Sequence, residues 1–210
     1  DTLSLPAGDP RRQAITLLNP LGEEYSTMRT QLATSMLTVL ATNYSRKIPA
    51  VRFFEAGKRF VPKQLPMTEQ PEEIPALCLG LYGEGEDFFT LKGLVEDLLR
   101  AFRVPAEYAV SAEPYLHPGR QANALADGRV IATLGEVHPD TAALYGIDTR
   151  VYLAEIDLPS LFAYAGQPTV YRPLPRFPAV ERDLALLCDD DMPVAEIEKT
   201  IRAAGGRLLE

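Results

Sequence analysis

Residues 123–137 read NALADGRVIATLGEV, two alternating runs of apolar and polar residues separated by Asp127-Gly128. A two-residue Asp-Gly loop suits the type I′ turn, whose twist matches that of paired strands, so this stretch predicts a β-hairpin and an antiparallel sheet. Working outward, AITLLNP (14–20), VRFFEAGKRFV (51–61), IPALCLGLYG (74–83) and RVYLAEIDL (150–158) read as further strands. In the last of these, Val151, Leu153 and Ile156 fall on strand positions. Inside 51–61, EAGKR reads as a tight hairpin turn, with Gly57 supplying conformational freedom and Lys58 and Arg59 in solvent.

Helical spacing alternates with these strands. In STMRTQLATSMLTVLATNYSRK (26–47), Leu32, Met36, Val39, Leu40 and Tyr44 recur every three or four residues, and Ser26 or Thr27 is a cap candidate. TLKGLVEDLLRAF (90–102) repeats the pattern with Thr90 as cap and Leu91, Leu94, Val95, Leu98, Leu99 and Phe102 inward, and DTAALYG (140–146) is a short helix. Hairpins with interspersed helices imply an α+β domain around a mainly antiparallel sheet flanked by helices. Prolines 168, 173, 175 and 178 mark an extended linker over 166–180, which separates a first domain, 1–165, from a second, 181–210. In the second, RDLALLCDD (182–190) reads as a strand and MPVAEIEKTIRAAGG (192–206) as a helix. One strand and one helix cannot cover a sheet, so this domain is expected to be cut short at Glu210.

Composition limits what such a chain can do. A net charge of −8 argues against a broad basic surface for nucleic acid, so any RNA contact is local. Cys78 and Cys188 each lie in apolar runs and read as two buried thiols in a reducing compartment rather than a disulfide or metal site. No apolar run reaches the ~20 residues of a membrane span. The first residues, DTLSLPAGDPRR, lack the pattern of a signal peptide, so the expected location is the cytoplasm, with no membrane partner.

The charged residues of 51–60 raise the question of a nucleotide site. Arg52 and Glu55 are three apart and so fall on opposite faces of a strand. No Walker A or dinucleotide glycine pattern occurs; GLYGEGEDF (80–88) has glycines without the Lys and Ser/Thr that hold phosphate. His117 and His138 each precede a proline, without metal-ligand spacing to any partner, and read as hydrogen-bonding turn residues. CDDDMP (188–193) lacks the spaced oxygens of a calcium loop and reads as a solvated turn favouring the next helix's N-terminus. No serine occupies a Gly-x-Ser-x-Gly elbow. These readings assign no catalytic, cofactor-binding or metal-binding residue.

Four ordered stretches, NPLGEEYSTMRTQL (19–32), VRFFEAGKRF (51–60), HPGRQANALADGRVIATLGEVHPD (117–140) and YRPLPRFPAVERDLALL (171–187), resemble the β chain of bacterial phenylalanyl-tRNA synthetase. The resemblance implies a core-like module with the fold of a class II aminoacyl-tRNA synthetase but without its activity, followed by the truncated βα start of a ferredoxin-like anticodon-binding domain. The family's upstream modules, including its magnesium ligands, have no counterpart here. A class II second motif places Arg and Glu two residues apart; with Glu55 in the glutamate's place, Phe53 stands where the phosphate-binding arginine is needed. The third-motif region, VYLAEIDLPSLF (151–162), has neither the glycines nor the arginine of an adenylate site. The implied role is a scaffold pairing with the catalytic α chain in an α2β2 ligase that joins phenylalanine to tRNA using ATP and Mg. ATP and Mg belong to the whole enzyme, and this part is expected to make little or no tRNA contact. The implied interface is a strand near Ile15–Leu18 and a helix from Thr30 to Arg46, with Met28, Met36 and Tyr44 as contact residues, though the same stripe suits an internal core. The alternatives are a free-standing class II-like small-molecule ligase and a ligand-sensing paralogue with a vestigial pocket.

Overall fold

Positive φ angles at Asp127 (51°) and Gly128 (73°) form the turn that joins Leu116–Ala126 to Arg129–Val137. The computed structural model describes residues 2–23, 26–166, 171, 178–190, 192–206 and 209. The chain divides into two units, Asp1–Gln167 and Pro168–Glu210. Most of the expected linker lies outside the described residues.

The first unit is built on six strands: β1 (Val51–Val61), β2 (Glu72–Tyr82), β3 (Glu107–Val110), β4 (Leu116–Ala126), β5 (Arg129–Val137) and β6 (Tyr152–Asp157). They form one antiparallel sheet in the order β1-β2-β6-β5-β4-β3. Helices α1 (Ala33–Ser45), α2 (Phe88–Ala101), α3 (Pro139–Leu144) and α4 (Leu158–Phe162) pack around it. The α+β architecture read from the hairpin is the one observed.

β6 lies inside the sheet and is buried on both sides, which explains why its sequence is nearly continuous in apolar residues. Val151 and Leu153 face one core with Leu32, Ala33, Met36, Leu37 and Leu40 of the α1 region, together with Leu3 and Leu5. Tyr152, Ala154 and Ile156 face a second core with Leu91, Val95 and Leu99 of α2 and Leu161 of α4. Each fully buried aliphatic side chain here contributes roughly 1.5–3 kcal/mol of transfer free energy, and the two cores clamp the sheet from both sides.

α1 approaches the sheet closely at one point. A Cβ built on Gly80 of β2 would stand 2.5 Å from Met36 Cγ and 2.7 Å from its sulfur, so the missing side chain is what seats the helix. Gly80→Ala is expected to destabilise by roughly 1–3 kcal/mol through overpacking, measured as a lowered urea midpoint. An unchanged midpoint would mean that α1 can lift without loss.

Several local expectations are corrected. AITLLNP does not form a strand; its one ladder contact is an isolated bridge from Thr16 to Thr27. EAGKR is not a turn, because β1 runs unbroken through it, paired residue by residue with β2. Gly57 is needed for space instead: a Cβ there would collide with the Arg29 guanidinium, which crosses the strand. α1 begins at Ala33, well after Ser26 and Thr27, and no side chain near it in sequence caps it. α2 is capped by Asp87, whose carboxylate accepts from Thr90 N–H (2.7 Å) and from the Thr90 hydroxyl, so Thr90 is the capped residue. Val39 and Leu94 face outward, because the buried stripes are narrower than the apolar spacing suggested.

In the second unit, helix α5 (Val194–Gly205) forms as expected, with Pro193 before it and Gly206 ending it at φ 54°. RDLALLCDD forms no strand, and Cys188 is exposed while Cys78 is buried. No residue of α5 is buried.

Candidate functional site

The α1 face of the sheet is not uniformly apolar. Strand register aligns Glu55, Cys78, Glu155, Thr133 and Asn123 in one row across five strands, and the side chains of such a row share a face. On the opposite face the corresponding layer is Leu77, Leu79, Ala154, Ile156, Ala132 and Leu134. The row thus sets a floor of polar groups in the middle of the sheet, beneath α1.

Glu155 anchors that floor. Its Oε2 accepts hydrogen bonds from the backbone N–H groups of Leu32 (2.9 Å) and Ala33 (3.2 Å), so it satisfies the first turn of α1 from the far end of the chain. Its Oε1 lies 3.7 Å from Arg59 Nη1. Burial pushes its carboxyl above the ordinary glutamate value of 4.5, against the opposing pull of Arg59 and the two N–H donors.

Beside Glu155 opens a pocket of about 320 Å³, walled by residues of the N-terminal segment and four strands. Its charged groups are Arg11, Arg59, Glu113, Glu155 and Asp157. Arg11 is held by Asp9 (2.6 Å) and Glu113 (2.7 Å), and Arg59 by Asp157 and Glu155. The Arg11 bond holds the Asp9 carboxyl down at about 2. Tyr115, also in the wall, has its hydroxyl pushed well up by burial and by Glu155 and Glu113 nearby. Two buried donors of residues in this wall, Gln31 Nε2 and Arg59 Nε, have no partner among the described residues. A buried unpaired donor costs on the order of 1–3 kcal/mol, so each calls for a physical reason.

The charges that first suggested a nucleotide site are spent on one another. Arg52 points to the opposite face and bonds Glu86 (2.8 Å), while Glu55 is taken by Arg29. Phe53, not an arginine, shares the face of Glu55. Lys58 is exposed and paired with Glu73, whereas Arg59, expected in solvent, is largely covered. The third-motif region forms β6 and α4 with the junction capped by Asp157, which accepts from Ser160 N–H (3.0 Å). Two arginines against three carboxylates leave the pocket lining at a net charge of −1, unsuited to a triphosphate.

The two histidines act as local acceptors: His117 Nδ1 from Gly119 N–H (3.1 Å) and His138 Nδ1 from Asp140 N–H (3.2 Å), the latter at the start of α3. The three suggested contact residues do not form one patch. Met36 is 2% exposed and belongs to the core, because α1 sits flush against Gly80; it cannot touch a partner. Met28 is half-buried beside the Thr16–Thr27 bridge. Tyr44 is half-buried, with its ring edge-on to Tyr82 at 5.8 Å. Upstream of all three, Leu18 (97%) and Leu21 (102%) are almost wholly exposed, the first inside the stretch read as a strand. Gln31, Glu113 and Tyr115 were also missed, since no local pattern brings them together. Glu155 did carry a signal, as a charge inside the otherwise apolar run 151–156.

Residues 1–158 match the family described as phenylalanyl tRNA synthetase beta chain CLM domain. The phenylalanine–tRNA ligase beta subunit of Clostridium tetani is 41% identical over all of this chain, which covers 26% of that relative. Those of Clostridium acetobutylicum and Symbiobacterium thermophilum are each 40% identical over all of this chain, covering 26% and 25% of the relative. The chain thus spans about a quarter of the length of these curated relatives. With a family match over residues 1–158, most of its length, the chain belongs to the phenylalanyl-tRNA synthetase β chain family.

Proposed function

We propose that this chain is the non-catalytic, class II-like core of a phenylalanine–tRNA ligase β subunit, and that its task is to pair with the catalytic α subunit. The observation that carries this reading is the mutual neutralisation of Arg29, Arg52 and Arg59 by Glu55, Glu86 and Asp157. A phosphate would have to break one of these pairs and enter a lining of net negative charge. ATP and Mg chemistry therefore falls to the α subunit of an α2β2 enzyme in the cytoplasm. Contacts with tRNA lie mostly outside this stretch, and residues 181–210 open a ferredoxin-like anticodon-binding domain. Among the described residues no helix is long and apolar enough to cross a membrane.

For assembly, the loop carrying Leu18 and Leu21 and the outer side of α1 at Val39 offer apolar surface to a partner. The test is thermal unfolding with and without ATP and Mg. A ligand that binds only the folded state at a hundred times its Kd adds about 2.7 kcal/mol of apparent stability. No rise in Tm is expected at millimolar ATP. A saturable rise would mean that the arginine pairs open to phosphate, and the non-catalytic reading would fall.

A further inference from the structure

β1 ends the sheet: β2 takes one side of it, and among the described residues no strand takes the other. Phe60 N–H donates to the Arg29 carbonyl (2.9 Å) and the Lys58 carbonyl accepts from Arg29 Nε (3.1 Å), both on the side away from β2. Strand alternation turns the N–H and C=O groups of Arg52, Phe54 and Ala56 to that same side. Among the described residues they have no partner there. The devices that blunt a sheet edge are missing from this stretch. It holds no proline and no bulge, and its two charges are spent, Arg52 on Glu86 and Glu55 on Arg29. The opposite end strand, β3, is only four residues long. Phe54 is 75% exposed and pairs in register with Leu79, as Ala56 does with Leu77, and both leucines are only partly buried on the α2 face. An apolar strip thus runs beside backbone donors and acceptors that repeat every second residue, a combination that fits an added β-strand.

The strand that fits is β1 itself. The open stretch 52–56 is centred on Phe54, so a two-fold axis there sets Phe54 against Phe54 and Arg52 against Ala56, each pair exchanging two N–H···O=C bonds. On the α2 face the two phenyl rings meet side by side, and Arg52 faces a methyl group. On the α1 face Phe53 lies across from Glu55, whose charge Arg29 already holds. No like charges meet. Residues 58–60, which the Arg29 segment covers, fall opposite 48–50, which precede β1 and need no partner. We propose that the open edge of β1 pairs with β1 of a second copy of this chain, antiparallel and centred on Phe54, joining two six-stranded sheets into one. The pairing uses none of Leu18, Leu21 and Val39, so it stands or falls separately from the α-subunit reading.

An interface of a few strand residues lies at the weak end, so sedimentation velocity of the 210-residue chain should run from about 5 µM to about 0.5 mM. Moderate salt screens the net charge of −8 on each copy. The expected result is a rise from monomer to dimer, with backbone hydrogen exchange over 52–56 slowing as the dimer fills. Phe54→Lys and Phe54→Glu each set like charges across the axis and should weaken dimerisation at least about tenfold. An equimolar mixture of the two sets opposite charges there and should restore it. Ala56→Pro removes an N–H that β2 does not use, so the fold keeps and the pairing is lost. Circular dichroism checks that each variant is folded, and the Phe54 variants decide if Ala56→Pro is not. The proposal is overturned by a monomer at every concentration, by a dimer in which exchange over 52–56 does not slow, by undiminished dimerisation of a folded Phe54→Lys chain, or by a mixture no more associated than either charge variant alone.

Discussion

Glu155→Leu is expected to lower folding stability by roughly 3–5 kcal/mol, the range for removing one member of a buried charged network and leaving its partners unpaired. Leu32 N–H and Ala33 N–H would lose their only cap, because the N-terminus of α1 carries none of its own. Arg59 would keep Asp157 but lose its second carboxylate. Glu155→Gln keeps an acceptor oxygen for the helix and should cost about 1–2 kcal/mol. Urea unfolding of both variants measures the two values, and equal losses would show that shape rather than hydrogen bonding sets the role of this residue.

The same residue gives a pH signature whose sign is fixed. Its folded carboxyl titrates above the ordinary value of 4.5, so between those two points the folded state holds more proton than the unfolded one. Stability from this group is therefore fully present below 4.5 and is lost as pH rises through the raised folded value. Relative to Glu155→Gln, which does not titrate, the native chain should gain stability as pH falls from neutrality toward 4.5. A gap that moves the other way would mean that Arg59 outweighs burial.

Leu18→Asp combined with Leu21→Asp is expected to weaken association with the α subunit by about a hundredfold or more, the scale of losing apolar anchors from an interface. Both side chains are almost wholly exposed, so the isolated chain should keep its stability within about 0.5 kcal/mol. Met36→Asp would behave oppositely: a charge placed among Leu32, Leu37, Leu40 and Gly80 unfolds the first unit and cannot report on an interface. Sedimentation for association, and thermal unfolding for stability, separate the two effects. Undiminished association of the double variant would move the interface elsewhere on the first unit.

The elements that sequence made plain are those whose cause is local. The Asp127-Gly128 turn needs two left-handed residues, and α2 needs a three- and four-residue apolar spacing; both causes lie within a few positions of their effect. Misread elements had distant causes. Gly57 looked like a turn because the reason for it, the Arg29 side chain, comes from 28 positions away in sequence. The start of α1 lies later than the local sequence suggests because its cap is Glu155, 123 residues from Leu32. The Met36 stripe was correctly periodic, yet periodicity does not say whether a helix face meets its own sheet or a partner, and only the contact with Gly80 decides it. The candidate site was legible by elimination: Phe53 in place of an arginine could be read directly, whereas the convergence of Gln31, Glu113, Tyr115 and Glu155 could not.

The central claim, that this chain serves an α subunit and performs no chemistry of its own, is tested most directly by sedimentation of the cognate α subunit titrated with the chain at moderate salt. The account predicts a saturable complex that the Leu18→Asp, Leu21→Asp variant fails to form at the same concentrations. No complex at any concentration, from a chain shown to be folded, would contradict it.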